Sequence, residues 1–270
     1  MIHVVKATGD IEAFSHEKLL ESIKRAGVDP RIHNQLINKI EEKLYDKIPT
    51  SQIYSYIIDF LDKSHPLAKS RYNLKQAIMA LGPGGYAFED FVSEILKTQG
   101  YNTTVRAMLN GSCITHEVDV IAEKDKKRIM IEAKFHNLSG TKTKIHVILY
   151  TKARFDDVAQ NNNLHEAWLV TNTKTTTDVI DYALCMNMKV ISWSYPQGES
   201  LRDLVEKSGL TPITSSALLS YNQKQTLLEN HIVLCRDICD NPSILDLVGL
   251  EEEKKKEVLS EMQFICNPKT

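Results

Sequence analysis

Asp119, Glu132 and Lys134 stand in EVDVIAEKDKKRIMIEAKF, residues 117–135, where charges interrupt two apolar runs separated by a charged turn. A turn centred between Asp125 and Lys126 makes the runs antiparallel strands. Its register sets Val118, Val120 and Ala122 opposite Ala133, Ile131 and Ile129, an apolar face. The other face opposes Glu123 to Arg128, Ile121 to Met130, Asp119 to Glu132, and Glu117 to Lys134. Directly opposed Cβ atoms lie about 4.5–5.5 Å apart, so the two carboxylates repel. The repulsion is about 1 kcal/mol in water and about 4 kcal/mol at an effective dielectric of 20. A divalent cation turns it into attraction, and Mg²⁺ (or Mn²⁺) takes one or two carboxylates with water and substrate phosphate. Lys134 shares a face with Glu132, where an ammonium holds an attacking water or stabilises charge on a phosphate. In outline this is a hydrolytic site for a phosphate ester. The alternative is a solvated outer face whose charges do nothing more than meet water.

These residues need a sheet to hold them. Strand patterns fall near 101–108, 116–123, 128–135, 166–171 and 188–193, and helical ones near 86–100, 142–160 and 174–186. Strands mixed with helices predict an α/β or α+β core. Ahead of it, HVVKATGDIEAF predicts a hairpin turning at Thr8-Gly9-Asp10. Four helices follow: Ser15 to Ala26, stopped by Gly27; one from Asp29-Pro30 carrying Ile32, Leu36, Ile40 and Leu44; one from Pro49-Thr50-Ser51; and one from Pro66 to Leu81. Gly82-Pro83-Gly84-Gly85 reads as a linker. From Pro212 the pattern is helical, ending in the charge run Glu251–Glu257. The expected domains are 1–82, 86–211 and 212–270.

With 270 residues and a net charge of −2, no global field draws the chain onto nucleic acid, so such a surface must be a local patch. No apolar run is long enough for a bilayer and no signal peptide is visible, so a cytoplasmic protein without membrane contact is expected. The five cysteines, 113, 185, 235, 239 and 266, show no metal spacing; they are expected to be reduced, mostly buried and without chemistry. Dispersed histidines without HExxH argue against a zinc hydrolase, and the lack of a Walker motif leaves no support for an ATP-driven motor.

GYAFEDFVSEILKTQGY, then HEVDVIA, then IMIEAKF, resembles the catalytic domain of Mrr-type restriction endonucleases in the PD-(D/E)xK superfamily. The likeness extends through KARFDDV, AWLVTNTKTTTDVIDYA and GESLRDLVEKSGLTPIT, over residues 84–214. It implies a mixed sheet flanked by helices, with the superfamily's helix Glu, strand Asp and Glu-x-Lys falling on Glu89, Asp119, Glu132 and Lys134. Val118 stands where the superfamily's Pro is usual. The resemblance implies that Asp119, Glu132 and the Ala133 carbonyl hold the metal while Lys134 orients the water. Glu89 either assists the metal waters or anchors the others; the alternative is a helix surface glutamate. His116 reads as a strand-edge histidine. Lys142, Lys144, Lys152 and Arg154 are candidates for DNA phosphates or a solvated helix face.

VVKATGDIEAFSHEK, SQIYSYIIDFL and AKSRYNLKQAIMALGPGG resemble an ATP-cone, a mostly helical nucleotide-sensing domain with a hairpin lid. This implies ATP or dATP as effector, with Lys6 and Lys18 toward the phosphates, Gly9 in the lid turn and Lys75 as a further candidate. Ala7 replaces a usual basic residue. ILDLVGLEEEKKKEVLSEM faintly resembles half of a helix-hairpin-helix module, retaining only Gly249. The expectation is a Mg²⁺-dependent DNA endonuclease of Mrr type that responds to adenine nucleotide and works as a homodimer or higher homo-oligomer. The alternatives are a non-cleaving, nucleotide-responsive DNA-binding regulator and a nuclease acting on RNA.

Overall fold

Asp125 (φ 50°) and Lys126 (φ 63°) both take the left-handed conformation, and the two-residue turn they make sets the register of the strands on either side. In the computed structural model, which describes residues 2–25, 28–64, 72 and 74–266, the chain divides into two compact units. One comprises 1–77, 211–227 and 235–270; the other comprises 78–210 and 228–234. Helix and strand are mixed, as the sequence predicts.

In the first unit, β1 (His3–Val5) pairs antiparallel with β2 (Ile11–Ala13) and parallel with β3 (Ile48–Pro49), a short strand that periodicity does not reveal. Ser15 accepts from the Lys18 N–H at 3.2 Å at the start of α1 (His16–Arg25). Asp29 caps α2 (Pro30–Glu41) from the residue before its proline. Leu36, Ile40 and Ile23 pack fully buried against Ile57 and Leu61 of α3 (Thr50–Ser64). The expected helix start at Pro66 and the Ala26–Gly27 stop lie outside the described residues. The next helix described, α4, runs Leu74–Met79, and the division between units falls within it.

The second unit is built on a five-stranded sheet in the order β10-β8-β6-β5-β4. Its strands are β4 (Asn102–Asn110), β5 (Thr115–Lys124), β6 (Lys127–Lys134), β8 (Glu166–Thr171) and β10 (Lys189–Ile191). The first three run antiparallel in turn, while β8 and β10 follow parallel to β6. A short parallel pair, β7 (Lys142–Thr143) with β9 (Lys174–Thr175), was not expected. Helix α5 (Tyr86–Thr98) covers one face, tied by Ser93 Oγ to Thr103 Oγ1 at 2.7 Å. Helices α6 (Ile145–Val158) and α7 (Thr177–Cys185) bury Val147, Ile148 and Val179 against Ala167 and Leu169 on the other. Helix α8 (Leu201–Ser208) opens with a capping box at Ser200 and Asp203. The glycine-rich stretch is packed at its start, where a Cβ at Gly82 would lie 2.7 Å from the Phe135 ring, while Pro83 and Gly84 are exposed and Gly85 caps α5.

The carboxy-terminal helices α9 (Tyr221–Glu229), α10 (Cys235–Asp240) and α11 (Glu252–Cys266) belong, apart from the end of α9, to the first unit. Glu261 of α11 is buried and accepts from the Ser216 hydroxyl at 2.5 Å and the Ala217 N–H at 2.6 Å, with the Leu218 N–H at 3.4 Å. The cysteines depart from expectation. Cys239 and Cys266 form a disulfide because α10 packs against α11. Of the free thiols, Cys113 and Cys185 are exposed and Cys235 alone is buried. Spacing along the chain gave no sign of this, since the pairing depends on how two helices meet. Among the described residues no helix is long and apolar enough to cross a membrane.

Candidate active site

The β5–β6 ladder follows the expected register from Lys124↔Lys127 to Val120↔Ile131 and ends there. On its other side β5 pairs with β4 except at Asp119, opposite which Arg106 takes φ 52°. Asp119 thus drops out of both ladders, and its Oδ2 accepts the Ala133 N–H at 2.7 Å. Strict alternation fails at the same point. Val118, expected beside Val120, packs with Ile121, Met130, Leu109 and Val158 on the α6 side. The expected face-to-face pairs beyond Val120 are replaced by a side-chain bond across the gap.

Glu132 is 7% exposed at the end of β6. Its Oε1 accepts from the Tyr150 hydroxyl at 2.6 Å and its Oε2 from Arg154 at 2.7 Å. Tyr150 and Arg154 lie one turn apart on α6, so both reach the same carboxylate. Burial, then the neighbouring charge of Glu132, pushes the Asp119 carboxyl up to about 7, against the pull of the Ala133 N–H. Burial and Glu132 likewise raise the Tyr150 hydroxyl, which stays a donor. Lys134 is half-buried on the same strand and makes no side-chain hydrogen bond or ion pair among the described residues. Its neighbourhood is fixed by Asn172, which accepts the His136 N–H at 2.9 Å and donates to the His136 carbonyl at 2.8 Å.

Glu89 is no surface glutamate. It is buried on α5, accepts from Arg106 at 3.1 Å, and its charge is felt at Asp119. Burial raises its carboxyl while Arg106 pulls it down. Arg106 also holds Asp90 at 2.7 Å. Among the described residues no three acidic, histidine or cysteine side chains form a cage for an ion. The oxygen donors of Asp119 and Glu132 fit a hard cation that keeps most of its waters, as Mg²⁺ does.

Arg106, Tyr150 and the tie of Arg154 to Glu132 were not foreseen. Tyr150 and Arg154 at helical spacing, both able to donate to a carboxylate, were the available signal. Lys152 is engaged with Asp156, so of the four basic candidates for DNA only Lys142 and Lys144 stand exposed.

His116 pairs with Asp157 at 2.8 Å, and Asp157 also takes the Cys113 N–H at 2.7 Å, fastening the β4–β5 turn to α6. The hydrogen bond from His116 is the chief cause that holds the Asp157 carboxyl down at about 2. An unfolded Asp titrates near 3.9. Between those values the unfolded chain binds the extra proton, so this contribution is full above pH ~4 and is lost as pH falls toward ~2. Asp157→Asn is expected to flatten the acid limb of stability, measured by urea unfolding between about pH 2 and 5. Parallel acid limbs for the two proteins would discount the tie.

In the first unit, Glu12 of β2 bridges Lys6 at 2.5 Å and Lys18 at 3.3 Å. Lys6 lowers the Glu12 carboxyl most. Glu12 and Lys18 border a cavity of about 250 Å³ with Phe14, Thr50, Tyr54 and Tyr72. Tyr54 and Tyr72 stack at 5.5 Å. Gly9, at φ 84°, makes the exposed hairpin turn, while Lys75 is exposed on α4; neither borders the cavity.

The fold is that of a chain with a nuclease domain. Residues 83–202 match the restriction endonuclease family and residues 2–76 match the ATP cone domain. Residues 212–266 match the family described as AF1548-like, C-terminal. The chain belongs to the family of AF1548-like proteins: it is 35% identical over 177 residues, 64% of its length, to an uncharacterized protein of Archaeoglobus fulgidus, 99% of which is covered. A crystal structure titled as a protein of unknown function, AF1548, superposes with a TM-score of 0.61 at 33% identity, covering 69% of this chain and 100% of that one.

Proposed function

We propose that the protein is a Mg²⁺-dependent (or Mn²⁺-dependent) DNA endonuclease of the Mrr restriction type. Its activity or assembly would respond to ATP or dATP held by the cone. The observation that carries this is the lapse of both ladders at Asp119, which leaves its carboxylate facing the buried Glu132. Two largely buried carboxylates that feel each other's charge are costly unless a cation joins them.

In this reading Asp119, Glu132 and the Ala133 carbonyl hold the ion. Bound there, a divalent ion acidifies a water and neutralises charge on the scissile phosphate. Lys134 holds the attacking water, and its unpaired ammonium is suited to this. Glu89, anchored by Arg106, keeps Asp119 oriented and electrostatically strained. Lys142 and Lys144, exposed beside the start of α6, contact the DNA backbone. Lys6 and Lys18 receive nucleotide phosphate once Glu12 releases them, with Gly9 closing the lid. Cutting both strands would call for two such sites, hence a homodimer, working in the cytoplasm.

One observation favours a second reading, a DNA-binding regulator without cleavage: both Glu132 oxygens are already taken by Tyr150 and Arg154. Supercoiled plasmid, methylated and unmethylated, incubated with Mg²⁺ with and without ATP or dATP separates the two. Nicked or linear product that depends on Mg²⁺ and shifts with nucleotide is expected. Retarded but uncut DNA in every condition would select the regulator.

A further inference from the structure

Glu132 has a cation beside it already. The Arg154 guanidinium donates to Oε2 at 2.7 Å while the carboxylate is nearly sealed from water. The Arg154 side chain is 25% exposed, and its guanidinium carbon lies 5.6 Å from the centre of the Tyr150 ring. The guanidinium is therefore held against Glu132 while its side chain stays partly open to solvent.

We propose that Arg154 is a positioning residue that couples DNA binding to metal loading, an inference that rests on reading Asp119 and Glu132 as the metal-holding pair. In the free protein the guanidinium stands in as the counter-charge of Glu132. A divalent ion at that carboxylate is repelled by it, and at a few ångströms even a well-screened charge weakens binding severalfold. Leaving Glu132, the guanidinium needs another anion, and a DNA phosphate accepts its planar fork through two hydrogen bonds. Lys142 and Lys144, exposed just before the helix that carries Arg154, add positive charge about 15 Å away along its axis for a phosphate backbone to meet. Duplex DNA thus draws Arg154 off Glu132 and tightens the metal; by reciprocity the metal tightens DNA. The site stays poorly loaded until substrate is present.

The test is calorimetric titration of Ca²⁺, another hard divalent cation that takes oxygen ligands, into the full chain with and without a short duplex. Wild type is expected to bind Ca²⁺ roughly tenfold more tightly with duplex than without. Arg154→Ala should bind Ca²⁺ roughly tenfold more tightly than wild type when DNA is absent, and duplex should then add less than about twofold. Arg154→Gln, neutral but still able to donate to Glu132, should behave likewise and serves where the alanine variant melts early. A residue that merely orients Glu132 would give the opposite sign, so weaker or unchanged Ca²⁺ binding in both variants overturns the proposal. An undiminished duplex effect in the variants does so too. Wild type that binds no Ca²⁺ in either condition removes the metal-holding pair itself, a failure distinct from that of the coupling.

Discussion

Glu132→Gln is expected to lower Mg²⁺-dependent nicking by about 10³-fold or more while the protein still melts cooperatively. Electrostatic stabilisation by a bound ion amounts to several kcal/mol, and each 1.36 kcal/mol is tenfold in rate. The amide keeps the volume of the side chain and one acceptor for Tyr150 or Arg154, which donate at 2.6 and 2.7 Å. Its amino group then faces the remaining donor, a mismatch costing about 1–3 kcal/mol of stability. Initial rates of plasmid nicking beside a thermal melt separate the two effects. A variant nicking within tenfold of wild type would remove Glu132 from the chemistry; a variant that fails to melt cooperatively would make Asp119→Asn the next one to assay. Lys134 offers a check on the water-holding role, since its ammonium has no other engagement among the described residues.

The second large effect is on stability. Glu261→Ala is expected to destabilise the first unit by about 3 kcal/mol, because the buried Ser216 hydroxyl and the Ala217 N–H both lose a charged acceptor. For a unit of this size that lowers the melting temperature by roughly 10 °C. Scanning calorimetry of wild type and variant measures it. A shift of under about 2 °C would mean that the 216–218 turn holds its shape without α11.

The β5–β6 register was readable because slipping by one residue turns every side chain to the opposite face, and the apolar residues of both runs tolerate a single choice. Beyond Val120 the rule lost its hold. There the backbone of Arg106 goes left-handed and Asp119 replaces a ladder bond, and neither residue type announces this. The catalytic candidates were legible as types at a spacing. Their supports were not, since Arg154 sits twenty-two positions from Glu132 and Arg106 seventeen from Glu89. In the first unit, caps at Ser15 and Asp29 were plain because they act within a few residues. The disulfide and the tie of Glu261 to residues 216–218 needed the helices to be packed first.

The first unit is made of stretches from both ends of the chain, with 78–210 between them. The buried apolar cluster of the opening helices runs only from Val4 to Leu61, so during synthesis on the ribosome it can close before the enclosed stretch has emerged. A fragment cut after residue 210 would keep the restriction endonuclease segment and the cone segment with its own core, losing Glu261 together with the 216–218 turn that it holds.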